Sequence, residues 1–167
     1  TVGNREIDPE CLSAAEECVR KLQDAGAIVE KDELDFVALE QAFLVILESS
    51  LMSRLKGEFE KTPDMIDPTL LKTLENGAQW TASDLQNASR ERSRCFKEVQ
   101  GLFSNYDLII SPTLAAPPLS VDHDPHGEVE INGRVAGRIR GAWYPYTFPF
   151  NLTGHPALTF PNGQTKT

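Results

Sequence analysis

The chain has 167 residues, of which 40% are hydrophobic and 25% charged, and its formal net charge is −9. That length and apolar content suffice for a single domain with its own core, residues 1–167. The acid excess, with a pI near 4.8, argues against a nucleic-acid partner. No apolar run approaches the roughly 20 residues of a membrane span. The opening TVGNREIDPE lacks the positive end and apolar block of a signal peptide. Cys11, Cys18 and Cys95 are odd in number and show no C-x-x-C spacing, so a reducing, cytoplasmic location is expected.

In chain order, Asp8-Pro9 reads as N-cap plus first helical residue. Leu12, Ala15, Val19 and Leu22 give that helix one apolar face, and Gly26 closes it. Ala27-Ile28-Val29 follows as a short strand. Asp35 starts a second helix, with Phe36, Leu39, Phe43, Ile46, Leu47 and Leu51 as a broad stripe and Gly57 and Pro63 as its end. Asp67-Pro68 repeats the cap-and-proline start, and the helix runs to Gly77. Thr81 and Asp84 form a capping box for the longest helix. Leu85, Ala88, Arg92, Cys95, Val99 and Leu102 hold its register, with Phe96 and Phe103 widening the face.

Leu108-Ile109-Ile110 has the composition of a strand buried on both faces. Residues 114–142 are irregular except for 128–135, which alternate around an Asn132-Gly133 hairpin turn. Pro145 suits the first turn of a short helix reaching Asn151, and Leu158-Thr159-Phe160 is the last strand. About five helices thus accompany three or four strands far apart in sequence. Sheets usually have about four to six strands. The pattern predicts part of a mixed sheet covered by helices, with further strands supplied from outside.

Three groups of residues invite a chemical reading. Ser49-Ser50 is the adjacent serine pair, but it lies inside a predicted helix, where no sharp turn or free N–H groups are on offer. Asp122, His123, Asp124, His126 and Glu128 are a metal-capable set in an irregular loop, where nothing fixes the ligands relative to one another. A solvated loop is the preferred reading, and no metal is expected. The aromatic block Trp143, Tyr144, Tyr146, Phe148 and Phe150 suits either a core or a cleft. Gly141, Tyr144 and Phe148 fall at i, i+3 and i+7, which is one face if a helix runs through them. Thr113 follows the predicted strand directly, where ligands of α/β sheets often bind.

Residues 106–118, YDLIISPTLAAPP, and 143–163, WYPYTFPFNLTGHPALTFPNG, resemble the C-terminal part of amidase-signature enzymes, the Ser–cis-Ser–Lys amide hydrolases. The matching positions include Tyr106, Asp107, Pro112, Thr113, Pro149, Asn151, Leu152, Thr153, Gly154, Pro156 and Pro161. His155 stands where many relatives carry Gln. The resemblance implies an α/β fold, a helix-rich fragment of a mixed-sheet enzyme truncated at both ends. It implies hydrolysis of carboxamides through an acyl-serine, with no metal or organic cofactor. The Gly/Ser-rich stretch with the catalytic serines, and the lysine upstream of it, are not in this sequence, so no catalytic residue is assigned.

In fatty-acid amide hydrolases the face aligning with Gly141, Tyr144 and Phe148 lines the acyl channel. Gly141, Trp143, Tyr144, Thr147, Phe148 and Thr113 are therefore the expected substrate-binding residues. In the A subunit of the glutamine-tRNA amidotransferase, an acid aligns with Tyr144 and an Arg with Lys72 or Thr73, Thr73 being the better match. Both differ here, which favours a less polar amide. Expected partners are a small-molecule amide and, through exposed sheet edges, other copies of the chain. The other reading is a non-catalytic α/β binding or subunit-interaction module.

Overall fold

The computed structural model describes residues 6–36 and 39–164. Three helices carry most of the packing: α2 (Leu39–Lys61), α3 (Pro68–Gly77) and α4 (Ala82–Leu102). α1 (Pro9–Asp24) precedes them, and a 3₁₀ turn (Pro63–Met65) separates α2 from α3. A hairpin follows, β1 (Glu128–Ile131) with β2 (Arg134–Arg138), and two short helices, α5 (Ile139–Ala142) and α6 (Phe148–Thr153), complete the chain. The architecture is helix-rich α/β, with one two-stranded antiparallel sheet among the described residues.

The helix starts are where side-chain chemistry demands them. The Asp8 carboxylate accepts from the Glu10 N–H at 2.8 Å and the Cys11 N–H at 3.3 Å. Asp67 does the same for α3, from the Thr69 N–H at 2.8 Å. Thr81 and Asp84 close a reciprocal capping box on α4. The side-chain and backbone hydrogen bonds from Thr81 hold the Asp84 carboxyl below its ordinary pKa. A depressed folded pKa contributes stability above the unfolded value, about 3.9, and loses it as pH falls through the folded value. Thr81→Ala is expected to raise the Asp84 titration midpoint seen by carbon-detected NMR and to shrink the acid-side loss of stability. An unmoved midpoint would mean the box does not hold in solution.

Helix α2 departs from expectation in two ways. Asp35, its predicted start, and Phe36 lie outside the helix, which begins at Leu39; residues 37–38 lie outside the described residues. Of its two predicted end signals Pro63 holds and Gly57 does not: the helix continues to Lys61, and the Thr62 N–H still bonds back to the Glu58 carbonyl. A Cβ at Gly57 would meet nothing within 4 Å, so glycine there costs only about 1 kcal/mol of propensity and does not stop a well-packed helix. The buried row is Leu39, Ala42, Val45 and Glu48. It therefore contains a carboxylate that a hydropathy pattern skips.

The hairpin forms as the alternation predicts. Val129 and Ile131 are buried and Glu128 and Glu130 face out. Asn132 and Gly133 have φ of 55° and 71°, the two positive values that a primed two-residue turn needs. β2 extends to Arg138, and the register slips between Val129 and Glu130.

The three other predicted strands are not formed. Ala27-Ile28-Val29, Leu108-Ile109-Ile110 and Leu158-Thr159-Phe160 lie outside helix and strand. Ile28 is 93% exposed, Leu108 75% and Leu158 87%. A strand exists only through a neighbour's hydrogen bonds, and no described segment offers them a ladder. Phe96 and Phe103 also do not widen the core-facing side of α4. They turn to His155, stacked at 5.1 Å and tilted at 5.4 Å between ring centroids.

Candidate functional site

The predicted substrate-binding residues gather on two segments that the backbone ties together. The Ala115 N–H donates to the Trp143 carbonyl at 2.7 Å, and the Ala115 carbonyl accepts from the Asp8 N–H at 2.7 Å. The Trp143 indole N–H reaches the carbonyls of Ala116 and Pro117, each at 3.0 Å. The proline-rich run 112–118 is thereby clamped against the aromatic block, and Ala115 and Ala116 join its core.

Gly141, Tyr144 and Phe148 do not share one helix. α5 ends at Ala142 and α6 begins at Phe148, with Tyr144 in the turn between them. Pro145 is fully buried in that turn rather than opening a helix. A proline there has no N–H to continue the α5 ladder. The turn is instead held by Thr147, whose hydroxyl donates to the Tyr144 carbonyl at 3.0 Å. Gly154, at φ 73°, ends α6 with its N–H on the Phe150 carbonyl at 2.8 Å. The Arg92 Nε–H of α4 donates to the Leu152 carbonyl at 2.7 Å and satisfies an end of the same helix.

Within this unit the six residues differ in access. Gly141 and Phe148 are buried, and Phe148 lies against Phe43 with ring centroids 5.4 Å apart. Trp143, Tyr144 and Thr147 are half-buried, and Trp143 and Tyr144 meet edge-on at 5.9 Å. Burial raises the Tyr144 phenol pKa, with Arg140 opposing and Glu40 adding to the rise. Tyr144 is thus a neutral hydrogen-bonding group at ordinary pH. Thr113 is exposed, its hydroxyl 2.9 Å from that of Thr159. Two concavities lie elsewhere: a groove of about 530 Å³ along α4 at Arg90, Arg94 and Lys97, and a cleft of about 250 Å³ between α2 and α4 at Trp80.

Ser49 and Ser50 lie within α2, as their context predicts. In the acidic loop, the His126 ring Nε2 is 3.2 Å from the Thr69 carbonyl, and the His126 backbone N–H donates to the Asp124 carboxylate at 2.9 Å. His126 therefore pins the loop to α3. Among the described residues no group of three or more His, Cys, Asp or Glu is disposed to hold a metal. Burial pushes the Cys95 thiol up to about 11, which makes it an inert core residue.

Sequence reasoning missed Glu48. It is 5% exposed and accepts from the Trp80 indole N–H at 2.7 Å and from the Asn76 amide at 3.4 Å. Its signal was its place in the row Leu39, Ala42, Val45, at the i+3 step that keeps a face. Gly77 completes this junction, where α3 presses its backbone onto α2.

The amidase family model matches residues 1–167, the whole chain. The chain belongs to the amidase family. It is 27% identical to an amidase of Pseudomonas putida, over 96% of this chain and 34% of that protein. It is 24% identical to the 6-aminohexanoate-cyclic-dimer hydrolase of Paenarthrobacter ureafaciens, over 99% of this chain and 36% of that protein. Among solved structures, a bacterial aryl acylamidase of the amidase-signature family superposes with a TM-score of 0.76 at 23% identity, over 99% of this chain and 36% of the acylamidase. The chain spans about a third of the length of the curated relatives it matches.

Proposed function

We propose that the chain is the C-terminal part of an amide hydrolase and supplies one wall of its substrate pocket. The carrying observation is the clamp between residues 112–118 and 143–148, made through Ala115 and Trp143. In that wall the half-buried Trp143, Tyr144 and Thr147 face the ligand, Gly141 and Phe148 back them, and Thr113 borders the opening. The apolar character of the wall favours a carboxamide with an apolar acyl group. Relatives' names span a cyclic-dimer hydrolase and an aryl acylamidase, so the amide acted on differs among them. Ser49 and Ser50, the adjacent serine pair, are locked in α2 and offer no nucleophile. Cytoplasmic location and association of free copies through exposed apolar segments belong to the same reading.

The pure chain is expected to release no ammonia or amine from a panel of aliphatic and aryl amides. The Pseudomonas putida amidase carrying this chain in place of the stretch it matches is expected to hydrolyse some of them. Sustained turnover by the chain alone, unchanged in a Ser49→Ala, Ser50→Ala double variant, would overturn the proposal. So would a folded but silent chimera.

A further inference from the structure

The cleft between α2 and α4 has no part in the substrate wall. Its volume is about 250 Å³, below the roughly 300–1,000 Å³ of sites for drug-sized ligands, so it admits only a small molecule. Its floor is Ala42, Val45 and Ala88, a separate cluster of small buried side chains. Trp80 packs against that cluster and forms a wall. The ionisable groups of the lining are Asp84 and Glu91, both acids of α4. Hydrogen bonds from Thr81 hold the Asp84 carboxyl below its ordinary pKa, so it is charged at neutral pH. Arg94, the partner of Glu91, lines the neighbouring groove and not this cleft.

Trp80 is tuned from behind. Its indole N–H donates to the Glu48 carboxylate at 2.7 Å, and Glu48 is 5% exposed. Such a charge-assisted bond polarises its donor and enriches the indole in electrons. An indole ring is the best aromatic partner for a cation. Other ligand classes fit poorly. An anion would meet the carboxylates of Asp84 and Glu91, with Glu48 behind them. A bare metal ion lacks a ligand set, since Asp84 and Glu91 are two turns apart on one helix, about 10.5 Å along its axis. Metal–oxygen bonds of about 2.0–2.6 Å cannot span that gap from both sides. A neutral apolar body would use the floor and leave the charges unanswered. An organic cation uses all of it: alkyl groups on Ala42, Val45 and Ala88, charge between the indole and the two acids.

We propose that this cleft binds a small alkylammonium ion, with Trp80 as the cation-binding ring and Asp84 and Glu91 as the flanking charges. The site is independent of the amide-hydrolase reading, because none of its residues belongs to the wall formed by 112–118 and 143–148.

The probe is choline. Its neutral control is the alcohol in which a tert-butyl group replaces the trimethylammonium group. Binding to the pure chain is read by nuclear magnetic resonance from the Trp80 indole N–H and the Val45 methyl groups. Saturable shifts are expected, with a Kd on the order of millimolar for a ligand of so few heavy atoms. The neutral alcohol should bind about tenfold more weakly, and Trp80→Leu should lose about tenfold in choline affinity. Glu91→Gln should lose about threefold. That second variant leaves the floor, the indole and the Glu48 bond in place, so it tests the site even if Trp80→Leu unfolds. Absence of saturable shifts would overturn the proposal. So would equal binding of the neutral alcohol, which would make the cleft a plain apolar gap. Shifts matched by potassium chloride at equal ionic strength, or unchanged choline affinity in Glu91→Gln, would overturn it as well.

Discussion

Phe148→Ala is expected to destabilise the chain by about 3–5 kcal/mol, the cost of deleting a fully buried aromatic ring and leaving a cavity. Phe148 is 1% exposed and opens α6 against Phe43 of α2. Beside it, Phe150 meets Phe36 edge-on at 6.2 Å, so the hole would open in the middle of the main cluster. The measurement is the urea midpoint at unchanged slope. The pocket proposal adds a second expectation for the chimera with the Pseudomonas putida amidase. There the ratio of kcat/KM between long- and short-acyl amides should shift by about 1–3 kcal/mol. A large loss of stability with an unmoved ratio would make Phe148 a core residue only and leave Tyr144 and Trp143 as the wall.

Gly77→Ala is expected to cost about 3 kcal/mol, at the upper end of overpacking penalties. A Cβ there would stand 2.3 Å from the Glu48 carbonyl oxygen, 2.8 Å from its carbon and 2.9 Å from Met52 Cβ. Two of those atoms are backbone and cannot rotate away, so α3 must retreat from α2. Retreat stretches the bonds from Asn76 and Trp80 to Glu48 and leaves a buried carboxylate short of donors, a costly state. Loss of thermal stability should therefore come with a changed Trp80 fluorescence. Gly57→Ala is the control: it meets nothing within 4 Å in the same helix system and should be neutral or stabilising by about 0.5–1 kcal/mol. Equal effects at the two positions would refute the close approach of α2 and α3.

The contrast between these glycines shows what the sequence could and could not reveal. Caps were legible because they are local: Asp8, Asp67 and the Thr81–Asp84 box act within three residues. The hairpin was legible because Asn132-Gly133 and the flanking alternation state both turn and register. The strands expected at 27–29, 108–110 and 158–160 did not form, since β structure needs a neighbour's ladder and no described segment supplies one. Gly57 looked like a stop and Gly77 was one, because only tertiary contact distinguishes them. For the candidate site, the contact of 112–118 with 143–148 had no local signature, because it joins segments about 30 residues apart through backbone and indole hydrogen bonds. The break between α5 and α6 had none either, because three residues at helical spacing share a face only if the helix is continuous. Glu48 was hidden by its charge, which hydropathy counts as exterior.

Helix α1 contains no buried residue. Its hydrogen bonds to the rest of the chain reach distant parts, Asp8 to Ala115, Ile7 to Asn132 and Ala14 to Asn162, with the Glu6–Arg134 ion pair and the packing of Ile7 beside them. Each closes a loop of more than a hundred residues, so none forms cheaply before the rest is in place. α2, α3 and α4, by contrast, are consecutive and assemble through short connections. Two tiers of cooperativity follow: a helical nucleus built from neighbours in sequence, and an N-terminal helix that latches on after the folding barrier has been crossed. On that order, substitutions in α1 leave the folding rate almost untouched and act on the rate of unfolding.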